Sequence, residues 1–127
     1  MKPRNPPTVP KPASAYAQAV EYAAAARRLV ISGQVGQRAD GTLCEGYEAQ
    51  ARQAWANISA LLEAAGMTLD DLAAIRVYDV APGSVAAYRA IRDEVLDGRL
   101  IACTYVIVAG LASPHFLTEI EAEAVKE

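Results

Sequence analysis

A chain of 127 residues is long enough for one domain with a real core and short for two. An apolar fraction of 53% with 21% charged residues excludes a disordered chain, and a net charge of −3 speaks against a surface that grips nucleic-acid phosphates. No apolar run approaches a membrane span, Lys2 and Arg4 are followed by no apolar stretch that would make a secretory signal, and Cys44, Cys103 and His115 stand in no metal-ligand spacing; the simplest expectation is a reduced, cytoplasmic protein with no metal site.

Residues 1–12 contain five prolines, which rules out a regular helix or a central strand and favours an extended arm preceding a domain over residues 13–127. Ala13 to Ala26 is alanine-rich, which favours helix by propensity, while the alternation of Tyr16, Gln18 and Val20 permits a strand; both readings stay open. Leu29, Val30, Ile31 and Val35 predict a strand over 28–35, with Gly33 marking a bulge or a close backbone approach. A turn is expected at 39–42. From Glu45 to Gly66, Tyr47, Ala51, Ala54, Trp55, Ile58, Leu61, Leu62 and Ala65 recur at helical spacing, with Gly66 as the stop and Trp55 as core filling. Thr68 with Asp71 has the form of a capping box.

Ala74 to Val80 reads as a strand, broken by Pro82 and Gly83. Ser84 is expected to cap a second helix, Val85 to Leu96, with Val85, Tyr88, Ile91 and Val95 as its apolar row and Gly98 beyond its end. Ile101 to Val108 is almost entirely apolar and reads as a strand covered on both faces. After a loop with Ser113, Pro114 and a solvent-facing His115, the last strand alternates. Phe116, Thr118, Ile120, Ala122 and Ala124 take one face; Leu117, Glu119, Glu121, Glu123 and Val125 take the other. Three like charges on one strand face repel unless solvated or paired. They form either a solvated guard against edge pairing or the lining of a cleft. Helices interleaved with strands in this order predict an α+β layer fold: a mixed sheet with two helices packed on one face. The other face then needs cover, and self-association into a closed ring is the economical answer.

In order along the chain, YAQAV at 16–20, LVISGQV at 29–35, EAQARQAWANISALLEAAG at 48–66, DDLAAIRVY at 70–78 and TEIEAEA at 118–124 resemble the YjgF/YER057c/UK (Rid, reactive intermediate deaminase; endoribonuclease L-PSP-like) family. The resemblance spans nearly everything after the proline arm. It implies a chorismate-mutase-like fold, a homotrimer with a small-molecule metabolite cleft between subunits, hydrolysis of reactive enamines or imines, and no metal or cofactor. It places the family's cleft tyrosine on Tyr16, its SGQ segment on Ser32, Gly33 and Gln34, and its water-positioning carboxylate on Glu119.

One departure stands out against that family. Its deaminase branch carries a substrate-clamping arginine where this chain has Cys103, followed by Thr104, and a thiol cannot supply the bidentate, permanently charged clamp of a guanidinium. Arg89 falls near a cleft position of the family and reads either as a displaced positive charge or as an exposed helix arginine. Cys103 reads either as a small core residue or as a cleft thiol. Two functions follow: an enamine or imine hydrolase with altered substrate preference, its catalytic group Glu119 and its pocket built from Tyr16, Ser32, Gly33, Arg89, Cys103 and Thr104; or a non-catalytic trimeric module that binds a small metabolite. Ribonuclease action is disfavoured by the acidic balance and the lack of a basic stripe, so neither nucleic acid nor membrane is an expected partner.

Overall fold

The computed structural model describes residues 1–127. In chain order its elements are β1 (Lys2–Arg4), β2 (Ala19–Glu21), β3 (Arg27–Gln34), α1 (Tyr47–Ala64), β4 (Leu72–Asp79), α2 (Val85–Leu96), β5 (Ala102–Ile107) and β6 (Thr118–Lys126), with a 3₁₀ turn at Leu69–Asp71. The main sheet has the order β3-β6-β4-β5; β4 and β5 are parallel, and β6 runs antiparallel to both its neighbours. This is the α+β fold expected, with two helices and a mixed sheet. No helix is long and apolar enough to cross a membrane.

Period-two alternation sorts the sheet. Ile31, Ile75, Val77, Ile120, Ala122 and Ala124 are buried in one core with Ala54, Trp55, Ile58 and Leu62 of α1 and Tyr88, Ile91 and Leu96 of α2. Opposite them, Arg28, Val30, Ser32, Arg76, Thr104 and Val106 face outward and are exposed. β5 was expected to be covered on both faces; in the single chain its outward face is open.

The two ambiguous N-terminal segments pair with each other. β1, inside the proline-rich arm, hydrogen-bonds antiparallel to β2, matching Pro3 with Val20, so residues 2–4 are a strand and not only an extended arm. Proline is tolerated there because the ribbon has only two strands and leaves edges free. No helix forms over 13–26: Ala17 instead bridges Ala102 in parallel and donates its N–H to the Ile101 carbonyl at 2.8 Å, which lays Tyr16 along the edge of β5.

α1 ends as its sequence suggests. Gly66 takes a positive φ of 68°, and the Met67 N–H reaches the Leu62 carbonyl at 2.8 Å. The Thr68–Asp71 capping box is present. Three details differ from the sequence reading. Leu61 is 40% exposed and sits off the buried stripe. Gln50 lies on that stripe and is buried: its amide donates to the carbonyls of Cys44 and His115, and its Oε1 accepts the Leu117 N–H at 2.8 Å. One side chain thus ties the loops before α1 and β6 to the helix. Ser84, expected to cap α2, makes no side-chain cap bond. Its hydroxyl donates to the fully buried Asp79 carboxylate at 2.7 Å and contacts the Tyr105 hydroxyl. A buried carboxylate demands donors more strongly than a helix end open to water does.

Ile58→Ala empties a fully buried position between α1 and the sheet and is expected to cost about 3 kcal/mol. Urea denaturation checks it, the midpoint falling with the slope unchanged.

Candidate functional site

The three glutamates of β6 are not equivalent. Glu121 accepts the Tyr78 hydroxyl and lies 3.9 Å from Arg76. Glu123 lies 3.3 Å from Arg28 and 3.9 Å from Arg76. Both are therefore paired, and the repulsion along the strand is relieved. The Glu119 carboxylate makes no hydrogen bond and no ion pair within the chain, although Tyr78 is its register partner, because the Tyr78 hydroxyl is already committed to Glu121. The Glu119 side chain instead lies across Gly33. A Cβ built on Gly33 would fall 2.0 Å from Glu119 Oε1. Gly33 also sits at the register shift between Ile31 and Gln34, so it marks both the bulge and the close approach that its place in the strand predicts. Ser32 beside it is exposed on the same open face.

A second group gathers on the helix side, between α2 and β5. Cys103 shares the buried side of the sheet with its partner Ile75, whereas Thr104, beside Arg76, points to the open face. Tyr16, Tyr88, Arg89, Arg92, Cys103 and Tyr105 are among the residues lining a cavity of about 200 Å³. An adjoining cavity of about 300 Å³ along the β5 edge again has Tyr16 and Cys103 in its wall, with Thr104 and Arg76. The Tyr88 and Tyr105 rings stack with centroids 4.9 Å apart, and the Arg92 guanidinium lies 5.2 Å from the Tyr88 ring centre.

Burial pushes the Cys103 thiol above its ordinary range, outweighing the opposing pull of Arg92, and its Sγ is 3.7 Å from the Ile101 carbonyl. That environment stores a thiol, not a thiolate. Burial likewise raises the Tyr88 phenol. Tyr47 is also raised, by burial and by the Asp79 carboxylate it donates to at 2.6 Å; this Tyr47–Asp79–Ser84–Tyr105 chain fixes the wall behind the cavity. Cys44 is buried in the loop before α1, and His115 is exposed.

Ser32, Gly33 and Glu119 therefore form one cluster, with Thr104 on the same face, and Tyr16, Arg89 and Cys103 form another on the opposite side of the same sheet. Two residues were missed. Arg92 lies outside the apolar row expected for α2, yet it is 1% exposed; Tyr88 belongs to that row, yet it carries a buried hydroxyl. Helical spacing held the signal for Arg92, which lies four residues after Tyr88 and one after Ile91, on the edge of the buried stripe.

The family model for Endoribonuclease L-PSP matches residues 7–126. The chain belongs to this family, which is the YjgF/Rid family. Among solved structures it is similar to the conserved Rid-family protein YyfB of Yersinia pestis, with 35% identity, 97% of this chain and 96% of that chain covered, and a TM-score of 0.88. RidA from the Antarctic bacterium Psychrobacter sp. PAMC 21119 is 30% identical over 98% of each chain, with a TM-score of 0.74. Among curated sequences, the RutC family protein YjgH of Escherichia coli strain K12 is 42% identical over 64 residues, 48% of this chain and 49% of its own length. The chain spans about half the length of the curated relatives it matches.

Two measurements check this candidate site. Gly33→Ala is expected to rotate Glu119 away while changing stability by less than about 1 kcal/mol, because the clashing atoms belong to a flexible side chain; a crystal structure and a urea titration of the variant read both. Cys103 is expected to react with iodoacetamide more slowly than free cysteine at neutral pH. The rate should climb only above the ordinary thiol range, since the thiolate is what reacts and burial delays its appearance.

Proposed function

We propose that the chain hydrolyses a reactive enamine or imine in a cleft completed by a second subunit of a homotrimer, with Glu119 holding the water. The observation that carries this reading is the selective freedom of Glu119: its two neighbours on β6 are neutralised by Arg28, Arg76 and Tyr78, and it alone is left with unspent lone pairs over a glycine. A carboxylate so placed can orient a water and take its proton as the oxygen attacks the C=N carbon. The new C–O bond forms as the π pair moves to nitrogen. The proton then passes to that nitrogen, giving a carbinolamine; its hydroxyl proton moves by way of the carboxylate to the amine as the C=O bond forms and the C–N bond breaks, and ammonia leaves behind a carbonyl product.

A homotrimer answers the division of the site. Glu119 and Cys103 lie on opposite faces of one sheet, so a single chain cannot bring both to one small molecule. The open face carries Val30 at 68% exposure and Val106 at 38%, surface that a neighbour would cover. Packing the open face of one subunit against the β5 edge of the next would bring the Glu119 cluster of the first to the Tyr16–Cys103 cavity of the second. Ser32 and Gly33 would shape one wall, and Tyr16, Arg89, Cys103 and Thr104 the other. No cofactor enters this chemistry, and a cytoplasmic setting suits an enzyme that meets metabolic intermediates.

The alternative is a trimeric module that binds a metabolite without turning it over. Cys103 in place of an arginine clamp is the observation that favours it. Imines generated in situ by an amino-acid oxidase separate the two readings. Wild type is expected to accelerate imine loss, and Glu119→Gln to lose at least about a hundredfold in rate. A wild type inert toward every imine offered favours the module. Sedimentation equilibrium is expected to return three times the 13.5 kDa chain mass; a monomer would leave both readings without a cleft.

A further inference from the structure

We infer that Arg92 and Tyr88 form the anion-binding end of the cavity between α2 and β5, and that the ligand it takes is a small carboxylate. Arg92 has a side chain only 2% exposed. Its Nε donates to Asp93 Oδ1 at 2.9 Å, and Nη1 lies 3.5 Å from Ser14 Oγ. Nη2 is 2.8 Å from the same Asp93 oxygen but out of hydrogen-bond alignment, so it is buried without a partner. The Tyr88 hydroxyl is buried as well and meets no partner in hydrogen-bond alignment, with the Arg92 guanidinium and the Cys103 thiol beside it. Two unspent donors on two residues of one wall are a costly arrangement for packing alone; a Met and a Phe would fill the same volume at no polar cost.

The surroundings set the sign of the ligand. Neither Asp nor Glu lines this cavity, whereas Arg89, which makes no ion pair, does. Asp93 offsets part of the Arg92 charge, but it is half exposed and engages the guanidinium through one oxygen. Stacking against the Tyr88 ring holds the guanidinium in place. One N–H and one O–H match the two oxygens of a planar carboxylate. At about 30 Å³ per water, 200 Å³ holds an acid of about six heavy atoms. The short Cys103 side chain in the cavity wall keeps that space open. On this view, the positive charge that β5 lacks at Cys103 reaches the cavity from α2.

Isothermal titration of the full chain with pyruvate, and with pyruvamide as its neutral isostere, tests the assignment. Wild type is expected to bind pyruvate and to discriminate against the amide. Arg92→Met should weaken pyruvate by at least about tenfold with an unchanged or higher melting midpoint, since a buried charge with an unspent donor is replaced by an apolar chain of similar length. Arg92→Lys should recover part of the affinity. If Arg92→Met does not fold, Tyr88→Phe, which keeps the ring, carries the test with an expected loss of roughly threefold to tenfold. Equal binding of pyruvate and pyruvamide, folded variants that bind like wild type, or no wild-type binding at millimolar pyruvate overturns the inference. Only the choice of a 2-oxo acid as probe rests on the hydrolase reading. Imine turnover undiminished in Arg92→Met would overturn the inference and spare that reading, while Arg92-dependent pyruvate binding without any turnover would do the reverse.

Discussion

β6 is the strand on which the molecule depends. It hydrogen-bonds to β3 on one side and β4 on the other, so its alternation decides what both faces of the sheet become. Thr118, Ile120, Ala122 and Ala124 are small or branched enough for both helices to close over them, and they are all buried. A one-residue slip would bury three carboxylates and expose the core, so the register is strongly specified. The same constraint sets Glu119 opposite Gly33. Register, core and candidate catalytic group are consequences of a single period-two pattern.

The open face follows electrostatically from that pattern. Carboxylates two residues apart need cations or donors, and β3 and β4 present Arg28, Arg76 and Tyr78 beside Glu123 and Glu121. The supply stops one residue short of Glu119, where β3 has Ser32 and Gly33. On the other side of the sheet, Asp79 plays an organising role of a different kind. Fully buried at the end of β4, it draws Tyr47 from α1 and Ser84 from the start of α2, and Ser84 in turn contacts Tyr105 on β5. This network settles where α2 sits against β5, and so the width of the cavity between Tyr88, Arg92 and Cys103. The Ser84 hydroxyl goes to the buried charge because an unpaired carboxylate in the interior costs more than a helix N-terminus left to water.

Both helices, the four main strands and the buried face of β6 were legible because each rests on local periodicity. The resemblance to the Rid family was legible for a similar reason: SGQ, the long helix and EIEA are contiguous motifs. The pairing of β1 with β2 was not, because residues 5–18 separate Lys2–Arg4 from Ala19–Glu21 and neither piece has a pattern of its own. The burial of Gln50 was not legible either, because the loop groups it binds come from residues 44, 115 and 117. Arg92 was hidden by its chemistry, since a guanidinium is presumed to be solvated unless tertiary contacts say otherwise.

By itself the sequence determined both helices, the four main strands, the fold class and, through contiguous motifs, the family, all of which rest on local pattern. Only the tertiary structure decided which of three equivalent glutamates is unpaired, that the predicted site residues divide between two faces of one sheet, and that a buried arginine stands where α2 meets β5. These depend on which side chains from distant segments compete for the same donors and the same space, and no local pattern encodes that competition.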